Sequence, residues 1–403
     1  MVWPVGRAAR DRSMWDVRLA AVHPVAGLLD EGPPMTPLRL TVFGAALALA
    51  ALTGTGAATA AVPAVASPAT APASTAAAVP PFSDGYGLTL VPEDTQVHSP
   101  TDFTLTVTTK QLSGKHKIRI LLPAGYDTDP GRRWPVTYFL HGGGGNVNDV
   151  AAAPALHSDS MITVVPDGGL KGWYVNWLMQ NTAEGAANWE TFHLTQVVPF
   201  IDANLRTRTD RAHRAVVGLS MGGFGALHYA QTRPDLFGHA AALSGGIDFG
   251  KWEIRGAVLA TELNLSGAWC AASSSSGSGA GTCVGHGPYV DSDAIFGSPY
   301  PVFNADRVWK AVDPASLTNL AKLSNTSITL YTGNNDLIDV HTAAASKTVH
   351  DRLVQLGIPS RLVDYGNGAS LAPSCNGGHN YGCWAPAFAD YVPRLEAAFA
   401  TAG

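Results

Sequence analysis

The sequence has little charge, few cysteines and no basic run. Asp, Glu, Lys and Arg make up 14% of its 403 residues, and the formal net charge is −5. Because a nucleic-acid-binding surface needs clustered Lys and Arg side chains, this composition argues against a nucleic-acid partner. The negative balance favours solubility. No Cys-x-x-Cys pair with a matching histidine spacing occurs, so the sequence predicts neither a bound metal nor a cofactor.

The N-terminal apolar run is too short to cross a membrane. It covers 40–52, which is 13 residues, whereas a membrane-spanning helix needs about 20. The run follows Met35 and Arg39 and precedes Ala58-Thr59-Ala60. This layout predicts a secretory signal peptide over 35–60 and a secreted protein without a stable membrane span; a buried helix is the alternative. Residues 1–34 are then predicted to be an upstream extension, which a start codon assigned too far upstream would explain.

The remaining sequence divides into a linker and one large domain. Residues 61–82 are almost entirely Ala, Pro, Val, Ser and Thr, which predicts a linker that buries no core. A single folded domain is expected over 83–403. The four cysteines, Cys270, Cys283, Cys375 and Cys383, fit an exported protein and allow three pairings. Short sequence separation favours Cys270–Cys283 and Cys375–Cys383.

Apolar, β-rich runs alternate with helical patterns along this domain. One amphipathic stripe consists of Leu194, Val197, Val198, Ile201 and Leu205, and a second of Val349, Leu353 and Leu356. The alternation predicts an α/β fold with a mainly parallel central sheet flanked by helices, whose ligand sites form at the carboxyl ends of the strands. The predicted strands cover 102–109, 116–123, 134–142, 161–168, 214–220, 240–246 and 327–333, and the first two are expected to form a hairpin.

Residues 249–310 interrupt this alternation. They include the low-complexity stretch CAASSSSGSGAGTC, which the first cysteine pair would staple. We interpret the segment as an insertion above the strand ends that forms a lid or a pocket wall near the active site. A surface loop without a role is the alternative.

The stretch GLSMG at 218–222 matches the pattern Gly-x-Ser-x-Gly. A buried strand precedes it, and a helical pattern follows from Met221 to about Thr232, before Pro234. This strand–turn–helix context is typical of the nucleophile elbow, in which a strained backbone holds a serine hydroxyl clear of the sheet. Ser220 is therefore the candidate nucleophile, and a plain tight turn is the alternative.

A serine nucleophile needs a base, and the base needs an orienting acid. For this elbow the chain order is Ser, then Asp or Glu, then His. His379 in CNGGHNYGCW is the candidate base, and Cys375 and Cys383 flank it. Two acids follow the last strong strand. We favour Asp336 as the acid, since Asp339 stands where the next helix begins and would serve as its N-cap.

The glycine run after His141 suits an oxyanion loop. Backbone amides in such a loop point at the negative charge that develops on the substrate oxygen. The predicted oxyanion hole combines the amides of Met221 and of Gly143 or a neighbouring glycine. His141 itself is expected to be structural.

Aromatic and polar residues after the predicted strands are candidates for substrate contact, with packing as the alternative. The main candidates are Trp177, Asn176 and Trp384. Trp173, Tyr174, Trp189 and Glu190 belong to the same stretches.

Several stretches together resemble the esterase D superfamily of α/β-hydrolases, which includes S-formylglutathione hydrolases, feruloyl and acetylxylan esterases, and the mycolyltransferases of the antigen 85 group. They are WPVTYFLHGGGGN, VVPDGGLKGWYVNW, WETFHLTQVVPFID, VVGLSMGGFGALHYA, YTGNNDLID and GGHNYGCW, between about 100 and 400. The segments VVPDGG…YVNW and WETF are closest to the mycolyltransferases. HGGGG and GNNDL are more similar to ordinary secreted esterases.

The resemblance implies an α/β-hydrolase fold and Ser220, Asp336 and His379 as the catalytic triad. It implies a secreted serine esterase that acts on a carboxylic ester of a small molecule or a glycan, without a cofactor. An acyltransferase that passes the acyl group to a sugar hydroxyl is the alternative, and a non-catalytic adhesin on the same fold is a third reading. Association with the cell envelope is left open.

Overall fold

The computed structural model describes residues 79–265 and 285–402. All of them belong to the compact unit that begins at Ala71. The predicted signal peptide, most of the linker and the Cys270–Cys283 pair lie outside these residues. Within the described ranges, no helix combines the length and the apolar character needed to span a membrane.

A twisted sheet forms the centre of the described structure. Its strands are β1 Thr89–Leu90, β2 Gln96–Ser99, β3 Asp102–Thr108, β4 Lys115–Leu121, β5 Val136–Leu140, β6 Ile162–Pro166, β7 Arg214–Leu219, β8 His239–Leu243, β9 Ser327–Gly333 and β10 Ser360–Gly366. Their order in the sheet is β1-β3-β4-β6-β5-β7-β8-β9-β10, and β2 pairs with β3. From β6 to β10 all neighbours are parallel, whereas β3 and β4 form an antiparallel hairpin, and β4 also pairs antiparallel with β6.

Helices cover both faces of this sheet. A π-helix, Phe192–Val197, continues directly into the helix Val198–Asn204. The other α-helices of the described ranges are Trp189–Thr191, Met221–Thr232, Trp252–Glu262, Arg307–Val312, Leu317–Ala321, Asp339–Gln355 and Tyr381–Thr401. The helix predicted from Met221 to about Thr232 is confirmed at both ends.

Successive side chains of the central strands point alternately into two hydrophobic cores, one on each face of the sheet. In β5, Tyr138 and Leu140 face one core together with Phe224, while Phe139 faces the other. The second core lies under the C-terminal helix and includes Phe388. Because successive side chains of a strand point to opposite faces, strands that are apolar throughout bury both faces of the sheet. The predicted fold class, an α/β-hydrolase with a mainly parallel sheet, is confirmed.

Three short or edge strands were not predicted. The strand β10 lies at the edge of the sheet, pairs only with β9, and is mostly half-buried. An edge strand with one partner does not need a continuous apolar run, so its sequence SRLVDYG carries a weak strand signal. The strands β1 and β2 are shorter still.

This topology collects four loops at one edge of the sheet. They follow the carboxyl ends of β5, β7, β8 and β9, which are neighbours in the sheet. The 249–310 insertion belongs to the connection that leaves the carboxyl end of β8, so it begins at this same edge of the sheet. The candidate nucleophile, acid and oxyanion loop all lie on these four loops.

Candidate active site

Ser220 occupies a strained turn between β7 and the helix Met221–Thr232. Its backbone has φ 53° and ψ −120°, which a non-glycine residue rarely adopts. A methyl group on Gly218 would lie 2.2 Å from the Gly222 carbonyl oxygen, and one on Gly222 would lie 2.0 Å from that of Leu140. The turn therefore closes only with glycine at both positions, which explains the Gly-x-Ser-x-Gly pattern.

His379 faces the serine from the loop before the C-terminal helix. Its Nε2 lies 2.8 Å from the Ser220 Oγ. The predicted disulfide Cys375–Cys383 is confirmed, and it closes the loop around the histidine. The indole of Trp384 packs edge-on against the imidazole, with ring centroids 4.8 Å apart. Covalent and aromatic contacts thus hold the imidazole beside the hydroxyl.

The carboxylate next to the imidazole belongs to Asp339. Its Oδ1 lies 2.7 Å from the His379 Nδ1, and its side chain is fully buried. The Thr342 hydroxyl donates to Oδ1 at 3.0 Å, and the Ser244 hydroxyl donates to Oδ2 at 3.1 Å. Hydrogen bonds to both oxygens satisfy the buried carboxylate and fix its orientation.

The prediction that Asp336 orients the imidazole is wrong in this structure. The Asp336 Oδ1 accepts hydrogen bonds from the backbone amides of Ile338 at 2.9 Å and Asp339 at 2.7 Å. Its Oδ2 accepts from the backbone amide of His379 at 2.5 Å. Asp336 thus caps the helix start, the role predicted for Asp339, and Asp339 contacts the imidazole, the role predicted for Asp336. The reason is that the first turn of the helix directs Asp339 inward while Asp336 binds the main chain. Asp336 still connects the acid and base loops.

The side chain of His141 fixes the orientation of the glycine loop. Its Nε2 accepts from the Gly168 amide at 2.9 Å, so the ring proton is on Nδ1 and is donated to the Gly142 carbonyl oxygen at 2.9 Å. Because a trans peptide is planar, the Gly143 amide points away from that carbonyl and from His141. As expected, His141 is buried and both of its ring nitrogens serve the structure.

Among the residues that the structure describes, the two amides predicted for the oxyanion hole have no helix or loop acceptor. Met221 is the first residue of its helix, so its amide lacks an intrahelical partner. The neighbouring amides of the glycine loop are occupied: Gly144 donates to the Leu170 carbonyl, and Gly145 donates to the Gly142 carbonyl. In the described part of the chain, no hydrogen bond uses the Gly143 amide.

The three candidate substrate contacts lie in different surroundings. Asn176 is exposed, and its amide group exchanges hydrogen bonds with Thr191. Trp177 is buried, and its indole donates to the Gly172 carbonyl. Trp384 is buried against His379 and donates to the Ser244 hydroxyl at 3.2 Å. The polar groups of all three serve the protein itself, and their assignment as substrate contacts stays a prediction.

The sequence analysis did not identify several residues that hold the catalytic side chains and their loops in place. Ser244, at φ 45°, follows β8 and joins Trp384 to Asp339. Asp167 binds the His116 Nδ1 at 2.9 Å, and its backbone carbonyl oxygen lies 2.9 Å from the Nε2 of His193. Burial lowers the pKa of His193 to about 3, so this imidazole is neutral at pH 7. The sequence signals for Ser244 and Asp167 were the stretches LSGG and VVPDGG, which lie at strand ends.

Curated relatives with similar sequences carry esterase and acyltransferase names. The chain is 39% identical to the esterase Rv1288 of Mycobacterium tuberculosis over 172 residues, covering 40% of this chain and 35% of that protein. It is 29% identical to the diacylglycerol acyltransferase/mycolyltransferase Ag85C of Mycobacterium leprae over 197 residues, covering 47% and 49%. The match thus spans about a third of the first relative's length and half of the second's.

Structural similarity and a family model extend over more of the chain. The crystal structure of Mycobacterium tuberculosis MPT51 superposes with a TM-score of 0.54 at 21% identity, covering 73% of this chain and 97% of that one, which shows a common fold. The family model Esterase matches residues 109–395, which include Ser220, Asp339 and His379. The chain therefore belongs to the Esterase family, within the esterase and antigen 85 superfamily of α/β-hydrolases.

Proposed function

We propose that this protein is a serine esterase that works through an acyl-enzyme. The observation that carries the proposal is the chain of hydrogen bonds from the Ser220 hydroxyl through His379 to Asp339, at 2.8 Å and 2.7 Å. Membership of the Esterase family supports it. A binding protein has no need for a strained serine with a base and an acid in this order.

The geometry supports a two-step reaction. His379 takes the proton of the Ser220 hydroxyl through Nε2, and the serine oxygen bonds to the ester carbonyl carbon. Asp339 holds the imidazole by Nδ1 and stabilises the imidazolium that forms. The C–O bond to the alcohol then breaks, and His379 returns the proton to the leaving oxygen. A water activated by the same imidazole attacks the acyl-enzyme in the second step, which releases the acid and regenerates the serine.

The negative charge of both tetrahedral intermediates needs hydrogen-bond donors that are already in place. The amides of Gly143 and Met221 supply two of them, since no hydrogen bond between described residues uses either amide. His141 keeps the Gly143 amide turned outward by binding the Gly142 carbonyl. Removing a single donor of this kind typically costs about 10²–10³ in kcat.

Acyl transfer is the second candidate function. The similarity to Ag85C, which is named as an acyltransferase, favours it. The same serine, histidine and amides would serve, with a sugar hydroxyl in place of water in the second step. The difference between the two functions lies in the acceptor.

We also propose that the protein is exported. The leader-like pattern at 35–60 supports this, and so does the Cys375–Cys383 disulfide, since such bonds persist in oxidising compartments.

An active-site titration tests the esterase proposal. With p-nitrophenyl esters from acetate to long acyl chains, we expect a stoichiometric burst of phenol followed by slower turnover. Ser220→Ala should abolish the burst and lower kcat on the order of 10⁶-fold. The matched control is Ser327→Ala, at an exposed serine that begins β9, at the opposite end of that strand from the loop with Asp339. An unchanged rate in Ser220→Ala, or a wild type without a burst on any ester, would contradict the proposal.

The same assay separates hydrolysis from transfer. Trehalose or glucose is added, and products are resolved by mass spectrometry. A faster second step together with a new sugar ester supports transfer, whereas unchanged rates and free acid alone support hydrolysis. Binding of a sugar or matrix protein without turnover would favour an adhesin instead.

A further inference from the structure

The insertion between β8 and β9 brings a histidine over the oxyanion loop. A methyl group on Gly143 would lie 3.2 Å from the Nε2 of His286 and 3.4 Å from its Cδ2. A methyl group on the adjacent Gly142 would lie 3.4 Å from the Ser220 Cβ. The imidazole of His286 therefore borders the same short stretch of backbone that borders the nucleophile.

Several hydrogen bonds hold this part of the insertion in place. The Lys171 ammonium, nearly fully buried, donates to the carbonyl oxygen of His286 at 2.7 Å and to that of Pro288. The His286 amide donates to the Asn264 side chain at 2.8 Å, and the Val290 amide donates to the Glu262 carbonyl at 3.1 Å. These hydrogen bonds fix the backbone on both sides of His286.

The imidazole of His286 has no hydrogen-bond partner in the described part of the chain. Its Nδ1 is buried without one. His141 and His193, by contrast, each use both ring nitrogens. The Nε2 is the ring nitrogen that lies beside Gly143, and no described group of the protein binds it, so it is available to an ester bound at Ser220.

The charge state of this imidazole suits such a contact. Burial and the nearby Lys171 ammonium lower the pKa of His286 below its ordinary value of 6.5. The ring is therefore neutral at pH 7, with one N–H to donate and no positive charge that would repel the imidazolium of His379.

We propose that the Nε2–H of His286 is a third hydrogen-bond donor to the oxyanion, beside the amides of Gly143 and Met221. The inference rests on the proposed esterase function. It makes the insertion part of the catalytic site. A donor of this kind acts mainly in the transition state, so its loss lowers kcat more than it changes KM.

Two substitutions test the role of His286. His286→Leu removes the donor and fills part of its space with an apolar side chain. His286→Gln keeps an N–H donor at a similar distance. We expect His286→Leu to lower kcat on p-nitrophenyl acetate about 10- to 100-fold with KM within about 3-fold, and His286→Gln to recover most of the loss. Affinity for a boronic acid that mimics the tetrahedral intermediate should fall in parallel with kcat.

A labelling experiment distinguishes a failure of the His286 proposal from a failure of the esterase proposal. Labelling of Ser220 by a p-nitrophenyl phosphonate is followed in wild type and both variants. A wild type that is not labelled overturns the esterase proposal and this one together. Labelling of the wild type, with unchanged kcat and labelling rate in His286→Leu, overturns only the role of His286. Equal losses in Leu and Gln variants, or a change confined to KM, would also overturn it, since either would indicate packing.

Discussion

At the scale of single residues, two aspartates three positions apart have different surroundings. Asp339 is fully buried and contacts the imidazole, whereas Asp336 binds three backbone amides at the start of the helix and in the histidine loop. The sequence identifies both as candidates, but the choice of Asp336 that its pattern favoured is wrong. The decision depends on the direction in which the first helical turn projects each side chain.

Neutralising these two carboxylates should have unequal effects. We expect Asp339→Asn to lower kcat about 10³- to 10⁴-fold, because an amide no longer holds the imidazole tautomer or stabilises the imidazolium. Asp336→Asn should lower kcat less than about 10-fold but also lower the melting temperature, since backbone amides lose a charged acceptor. Steady-state kinetics and thermal unfolding of both variants provide the check. The reverse order of the two kcat values would restore Asp336 as the acid.

At the scale of elements, a covalent bond closes the histidine loop. The Cys375–Cys383 bridge spans a sequence separation of 8 and surrounds His379. The loop also contacts Asp336 through the His379 amide, so the disulfide and the carboxylate restrain the same short segment.

Removing the bridge should affect stability and catalysis together. For the double variant Cys375→Ala, Cys383→Ala we expect a loss of roughly 2–3 kcal/mol in the free energy of unfolding, from the loop-closure term. We also expect a lower kcat, because the imidazole samples more orientations. Urea unfolding and the phenol burst measure the two effects. The variant is preferable to a reductant, because a reductant does not act selectively on this pair of cysteines. An unchanged unfolding midpoint and kcat would show that the loop is held by its other contacts.

Much of the element pattern could be predicted. The helix Met221–Thr232 and the buried strands β5, β7, β8 and β9 have strong apolar runs bounded by glycine or proline, so local sequence identifies them. The strand β10 could not be predicted, because its partner β9 and its half-exposed position at the sheet edge supply the stabilisation that its own sequence lacks.

At the scale of the whole molecule, a buried carboxyl joins two parts of the insertion. Glu262 lies in the helix Trp252–Glu262, is fully buried, and accepts from the Ile295 amide at 3.1 Å. Burial raises its pKa from an ordinary 4.5 to about 8. The folded protein therefore keeps a proton between these two pH values that the unfolded chain has already released.

This difference predicts a pH dependence of stability. Because the folded state binds more protons between pH 4.5 and about 8, this group lowers the free energy of unfolding as pH rises, by up to about 1.4 kcal/mol per pH unit. Glu262→Gln should flatten that decline, whereas Glu253→Gln, at an exposed position of the same helix, should not. Denaturant unfolding at pH 5, 6.5 and 8 measures the slopes. Equal slopes in wild type and Glu262→Gln would show that the carboxyl is ionised in the folded state.

The sequence by itself determined the alternation of strands and helices, the elbow around Ser220, the histidine His379 with its flanking cysteines, and the glycine loop after His141. These features are local, since short-range spacing and glycine geometry create them. Only the tertiary structure decided that Asp339 rather than Asp336 contacts the imidazole, that Ser244 and Trp384 support that carboxylate, and that His286 borders Gly143. Each of these contacts joins residues from separate loops. The packing of four strand ends and an insertion determines which of these residues come close enough to interact.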